Sequence, residues 1–285
     1  MKGSNPVKRP IKYQILALLS IFLSGCSIEQ KLASTFIETG ISDEFIVLAP
    51  DYLLKYNLKT YEIPEVDSLD EAVVDSILLE KSLFLKDVRD AEVLDAYITN
   101  FIKTLKTYGI KVYPENHLDT FLAAGRKAVI LNIAQFSLEE YVHPYSTEEW
   151  VDDELIVIDD IDLNALNFNV WLEISHLNSE GDQKVLFGSD YIFDNLNGTL
   201  KQYLFTGEMR FDYTIDTITS ERIYKSAADF GKTTGGYLYD YFLNNYIGEN
   251  LPEDYPYDRY YYHYDPARGR AYPIEPEKSL VELKK

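Results

Sequence analysis

Cysteine is almost missing from this 285-residue chain; Cys26 is the only one. One thiol excludes an intramolecular disulfide framework and any cysteine-rich zinc site. Histidine is scarce as well. His117, His143, His176 and His263 are the full set, and no two stand at the spacing that places two ligands on one helix face. Neither H-E-x-x-H nor G-x-S-x-G occurs, so the zincin helix and the nucleophile elbow have no signature here. A Ser-His-Asp site assembled from distant residues stays open. Positive charge is the third shortage. Against 47 Asp+Glu there are 27 Lys+Arg, a net charge of −20, and a phosphate backbone demands the opposite balance. Nucleic acid is therefore excluded as a partner.

What is present begins with an apolar fraction of 46 %, that of a globular chain. The length allows one large domain or two small ones. Residues 1–25 hold Lys2, Lys8, Arg9 and Lys12 and no acid. An apolar run, Ile15 to Leu23, follows. It falls short of the roughly 20 residues that cross a bilayer and matches the h-region of a secretory signal peptide. Leu23-Ser24-Gly25-Cys26 comes next. This tetrapeptide resembles the lipobox of bacterial lipoproteins: an apolar residue, two small ones, then the cysteine. The resemblance implies cleavage after Gly25, a diacylglycerol on the Cys26 sulfur and an acyl chain on its amine. It implies no other cofactor. Ser27, which is not Asp, implies sorting to the outer membrane. More than one acyl chain makes a stable anchor, and an acidic body adds no electrostatic adhesion to an anionic leaflet.

Past the lipobox, residues 26–43 read as a tether in which Gln30 to Thr39 could form a short helix. Glu44 to Pro50 reads as a buried strand, and residues 51–66 as irregular. Asp67 or Ser68 is placed to cap a helix through Val73, Val74, Ile77 and Leu78. From Asp90 to Tyr108 the apolar positions 94, 97, 98, 101, 102 and 105 form one helical stripe, with Gly109 as its stop and Ile110 to Pro114 as a following strand. A short helix is expected over 115–124 and a buried strand over 127–136. The acidic stretch 137–164 reads as partly irregular, with a strand at Leu155 to Ile158. Phe168, Val170, Leu172 and Ile174 alternate with polar neighbours, the period of a strand with one apolar face. Val185 to Phe193 fits as its hairpin partner. Met209 to Ile215 alternates in the same way. Two helices, 220–230 and 234–247, are expected on either side of a break at Gly231 to Gly236. The whole reads as α+β: a single domain, 44–248, with a mixed, largely antiparallel sheet covered by helices, then a Tyr/Pro-rich tail, 249–285.

Four local features carry candidate chemistry. Asp160, Asp162 and Asn164 match positions 1, 3 and 5 of a calcium loop, but Ala165 replaces its glycine and Trp171 its bidentate Glu. The stretch reads as solvated acid with no metal. Gly231-Lys232-Thr233-Thr234 has the end of a phosphate loop but not its first glycine. Glu139-Glu140 and Glu148-Glu149 are adjacent pairs that do not face each other across a substrate. The tail holds Tyr255, Tyr257, Tyr260, Tyr261, Tyr262 and Tyr264, rigid amphipathic rings suited to a partner surface or to packing on the protein itself. Asn197-Gly198-Thr199 reads as a turn.

A lipidated cysteine, a tether and an α/β core entered by Glu44–Pro50, the helix 90–108 running into 110–114, and the strand 168–174 are similar to the auxiliary lipoproteins of ABC-type transport systems and to the lipoproteins that activate peptidoglycan synthases. That likeness implies a non-catalytic envelope component, held on the membrane by lipid in the periplasm or at the surface, that acts through protein contacts with an envelope protein complex; the aromatic tail itself makes the tyrosine strip and the nearby sheet edge the expected contact surface. The alternative is a lipoprotein that binds or cleaves glycans.

Overall fold

The computed structural model describes residues 28–59, 70–113, 117–123, 125, 128–151, 154–177, 183–202, 209–256 and 258–284. The lipobox and the turn at 179–182 lie outside them. The helix through Val73 to Leu78 is capped by Asp70, whose side chain accepts from the Ala72 amide, and not by the expected Asp67 or Ser68. In chain order the elements are α1 (Ile28–Thr39), β1 (Glu44–Leu48), β2 (Leu54–Asn57), α2 (Glu71–Glu80), α3 (Asp90–Thr107), β3 (Lys111–Tyr113), α4 (Leu118–Leu122), β4 (Ala128–Val151), β5 (Glu154–His176), β6 (Lys184–Phe193), β7 (Asn195–Gln202), β8 (Met209–Asp216), α5 (Ser220–Asn250), β9 (Tyr261–Asp265), β10 (Arg270–Ile274) and β11 (Val281–Leu283). The class is α+β. These elements form two compact units. One holds Ile41–Tyr239 with the residues from Glu277 onward; the other holds residues 28–40 with Asp240–Pro276.

The larger unit is built on a mixed seven-stranded sheet, β11-β6-β5-β4-β1-β3, with β2 also on β4. β1 and β2 line the same edge of β4 in succession, both parallel to it, at Ala128–Asn132 and Ser137–Glu140. The β4–β5, β5–β6 and β6–β11 pairs are antiparallel. Alternation, with a register shift between Ile133 and Gln135 that changes its phase, sends Val129, Leu131, Phe136 and Leu138 of β4, with Phe168, Val170 and Leu172 of β5, to one face; all are buried. α3 and the first part of α5 cover that face. The Tyr97 ring of α3 meets Phe136 edge-on at 4.7 Å, and Phe230 of α5 packs on Tyr97, Phe136 and Phe168.

Three segments differ from their sequence reading. β2 forms where irregular chain is expected, because its Leu54–Asn57 backbone finds a free edge of β4. The acidic stretch 137–164 is the body of two strands of 24 and 23 residues; its carboxylates mask the alternation, and pairing between distant residues imposes the strands. The two helices expected on either side of Gly231 are one helix of 31 residues. Gly231 and Gly235, one turn apart, sit where α5 crosses the backbone of α3 at Tyr97 and Phe101. They are sites of close helix approach, and the missing side chains are what the packing requires. Hence Lys232 lies inside a helix, with its ammonium on Asp229 at 2.6 Å, and forms no phosphate loop.

Candidate functional site

The smaller unit contains most of the predicted tyrosine strip. Its residues from 249 carry a hairpin where the sequence shows only prolines and tyrosines. Asp265 makes the turn: its Oδ1 accepts from the Ala267 and Arg268 amides, and Gly269 takes the left-handed conformation at φ +63°, which glycine adopts without steric cost. The last part of α5 then holds β9. Asn244 treats Tyr262 as a strand neighbour would, accepting from its amide and donating to its carbonyl, each at 2.8 Å. Asp240, one turn earlier on the same helix face, accepts from the Tyr264 amide at 2.9 Å and binds His263 Nδ1 at 2.7 Å. α1 closes the unit. Glu29 is fully buried; its carboxylate accepts from the Tyr260 amide at 3.3 Å and lies 3.5 Å from the Tyr262 hydroxyl. The helix expected within the tether is thus packed into a folded unit.

This arrangement sorts the predicted residues. Cys26 and Tyr257 lie outside the described residues. Tyr262 is 1 % exposed, a core ring that offers nothing to a partner. Tyr255, Tyr261 and Tyr264 are half-buried. Tyr260 is 61 % exposed.

The Asp240–His263 pair, which depends on the hairpin and so has no local signature, was missed by the sequence reading. Burial pushes the Asp240 carboxyl above the usual carboxylate range, opposed by the hydrogen bonds from His263 and Tyr264. The hydrogen bond to Asp240 holds His263 above the usual imidazole value, against its own partial burial. A buried carboxylate on Nδ1 fixes ring orientation and leaves Nε2 as the second nitrogen, the geometry of an acid–histidine pair in hydrolases. Among the described residues, no serine, threonine or cysteine side chain is hydrogen-bonded to His263; its ring instead meets Tyr272 edge-on at 5.6 Å.

A second surface lies on the other face of the large sheet. At one end, Phe121 of α4 covers Ile46 and Ala128. Beyond that patch, register brings a polar row across β4, β5 and β6. Asn167 donates to Glu139 and to Asn169, Asn169 donates to Ser137, and the Ser189 hydroxyl donates to Asn167. Aromatic rings flank the row. Trp171 and Phe187 form a cross-strand pair with centroids 5.0 Å apart on one side; Tyr191, Phe193 and His143 stack on the other. Sequence alternation placed Trp171 and Asn169 opposite the core but could not show that three strands align them.

A third surface is the two-stranded ribbon β7–β8. Its register pairs Leu196 with Ile215, Gly198 with Tyr213, Leu200 with Phe211 and Gln202 with Met209, so one face is apolar as far as Gln202 at its end. The opposite face pairs Asn197 with Thr214 and Lys201 with Arg210. Asn197 lies within a strand and not in a turn. Gly198 has no room for a side chain because the Phe211 ring lies over it. Tyr213 is 49 % and Ile215 37 % exposed.

The calcium-loop positions fall on a strand. Asp160, Asp162 and Asn164 belong to β5, and Asn164 is already engaged by Lys59 and Asp194; a strand cannot wrap an ion as a loop does. Among the described residues no group of three or more His, Cys, Asp and Glu is placed to hold a metal ion, and no helix is long and apolar enough to cross a membrane. No family model matches the chain. No characterised protein matches it in sequence.

Proposed function

We propose that the protein is a lipid-anchored envelope lipoprotein, outer-membrane in sorting, that acts without catalysis by binding an envelope protein complex. The lipobox ending at Cys26 supports the address. The observation that carries the binding role is the β7–β8 ribbon. An isolated two-stranded ribbon is marginal in water, and exposed contiguous apolar surface marks an interaction site. Here Leu196, Gly198, Phe211, Tyr213 and Ile215 share one face, with Tyr213 and Ile215 exposed. The partner is a protein with an apolar groove that accepts this face. Affinity capture from gently solubilised membranes tests it. The parent should retain a stoichiometric partner that a Tyr213→Ser, Ile215→Asn double variant loses, with Cys26→Ala as the mislocalised control. Capture unaffected by the double variant refutes the assignment.

The half-buried Glu139, Asn167 and Ser189, resting on the buried Ser137 and Asn169 and flanked by Trp171, Phe187 and Tyr191, support a second reading, glycan binding, because amides and carboxylates suit sugar hydroxyls while rings suit their C–H faces. Saturable binding to a cell-wall polysaccharide that Trp171→Ala abolishes would favour it; a flat glycan array would remove it.

A further inference from the structure

The tyrosine strip has a neighbour that its sequence position conceals. Glu29 is three residues after Cys26, and its buried carboxylate holds the Tyr260 amide at 3.3 Å. One residue, Ser27, separates Cys26 from the start of α1 at Ile28. Chain reach is about 3.3–3.6 Å per residue, so Ile28 lies within about 7 Å of Cys26. Two apolar or amphipathic side chains face outward around this point, Ile28 at 47 % and Tyr260 at 61 % exposure, among the exposed charged neighbours Lys31, Asp258 and Arg259. Tyr261, next to Tyr260, pairs across the hairpin with Ile274.

We infer that Ile28 and Tyr260 form a membrane-interface contact, seated in the headgroup layer beside the acylated cysteine. The inference rests on the lipid-anchor reading of Cys26. Acyl chains on Cys26 bring the bilayer to the start of α1, and a one-residue spacer cannot hold the folded unit away from it. Tyrosine suits that depth, with its ring in the apolar boundary and its hydroxyl in water. Electrostatics gives no competing reason for adhesion, since the chain, already at net charge −20 before the four cations of residues 1–25 are removed, is repelled by an anionic leaflet. The occupant is therefore a neutral lipid surface, and Tyr260 serves as a second, non-covalent foothold that fixes the orientation of the unit on the membrane.

The test uses the full acylated protein in phosphatidylcholine nanodiscs. Tyr260 is nitrated with tetranitromethane and the modification is followed by peptide mass spectrometry. The comparison is the Cys26→Ala protein mixed with the same nanodiscs. Tyr260 should be nitrated several-fold more slowly in the anchored protein. The mass of the Cys26 peptide separates the two ways of failing. Absence of acyl mass overturns the anchor reading and this inference with it. Acyl mass present with Tyr260 nitrated at equal rates overturns the interface contact alone, and leaves Tyr260 to a protein partner.

Discussion

Replacing Gly231 with alanine puts helix propensity and tertiary packing in opposition. In an exposed helix interior the change stabilises by about 1 kcal/mol. At Gly231 the added Cβ would overlap the Tyr97 carbonyl oxygen of α3 and sit 3.1 Å from the Phe101 nitrogen. Both neighbours are backbone and cannot rotate away. Clearing the overlap requires α3 and α5 to part by about 1 Å, which forfeits a large share of the dispersion contact along the crossing. That crossing includes Phe230 on Tyr97 and Gly235 on Thr104. Overpacking of a filled core costs about 1–3 kcal/mol or more, and immobile backbone on both sides places this site at or beyond the upper end. The expected net result is a loss of about 2 kcal/mol after the propensity gain is subtracted. Urea denaturation followed by tryptophan fluorescence suits the measurement, because Trp171 lies on β5 of the same unit. The midpoint should fall with the slope unchanged. Gly248→Ala is the control: there the obstacle is the far end of the Arg259 side chain, which can swing aside, so the change should be neutral or stabilising. A Gly231→Ala protein as stable as its parent would refute the close-approach account of α5.

Three further outcomes follow from buried groups. Glu140 is fully buried, bonded to Lys59 at 2.7 Å and to the amides of Leu83 and Phe84; Glu140→Ala should cost about 3–5 kcal/mol, and the double change Glu140→Leu, Lys59→Met should cost less than the single one, both read by urea midpoint. The Tyr97 hydroxyl is buried without a hydrogen-bond partner among the described residues, and burial raises its pKa; Tyr97→Phe should stabilise by up to about 1 kcal/mol in thermal melts, because an unsatisfied group is removed and the packing kept. His263 has a raised folded-state pKa, so its protonated form contributes stability that is full below about pH 6.5, the unfolded value, and is lost as pH climbs through the folded value; the Tm advantage of the parent over His263→Gln should shrink between pH 6 and pH 8.5, and a gap constant across that range would refute it.

Much of the fold was legible where local signals agree. The stripe from Leu94 to Leu105 and the stop at Gly109 delimit α3 to within one residue, because amphipathic periodicity and a left-handed glycine are both local. The β5–β6 hairpin follows from strict alternation around Phe168 and Leu186. The illegible parts share a cause: their stabilising partner is distant in sequence. β2 needs the edge of β4, α5 needs the α3 backbone to explain its glycines, and the Tyr-rich hairpin needs Asn244. Tyr262 illustrates the limit. In sequence it is one of a run of tyrosines; in the structure both its amide and its carbonyl are claimed by one side chain on α5, and that claim buries it while Tyr260, two residues earlier, stays exposed on the protein.

The chain's acidity shows the same division at the level of chemistry. An excess of carboxylates reads as a solvated surface, the common state for Asp and Glu. Among the described residues, four are instead buried: Glu29, Glu140, Asp194 and Asp240. Each accepts a backbone amide from a segment far along the chain. Glu29 takes Tyr260, Glu140 takes Leu83 and Phe84, Asp194 takes Asn164 and Ile218, and Asp240 takes Tyr264. An amide–carboxylate bond is charge-assisted and stronger than a neutral one, and an amide left bare in the interior carries a desolvation cost. These four acids therefore act as staples in a protein without disulfides. Replacing any of them by its amide keeps the size but substitutes a weaker acceptor and adds an NH₂ that needs its own partner. The stability loss should accordingly be larger at these four positions than at exposed acids such as Asp162, and an amide scan that found no difference would show that the buried carboxylates are incidental.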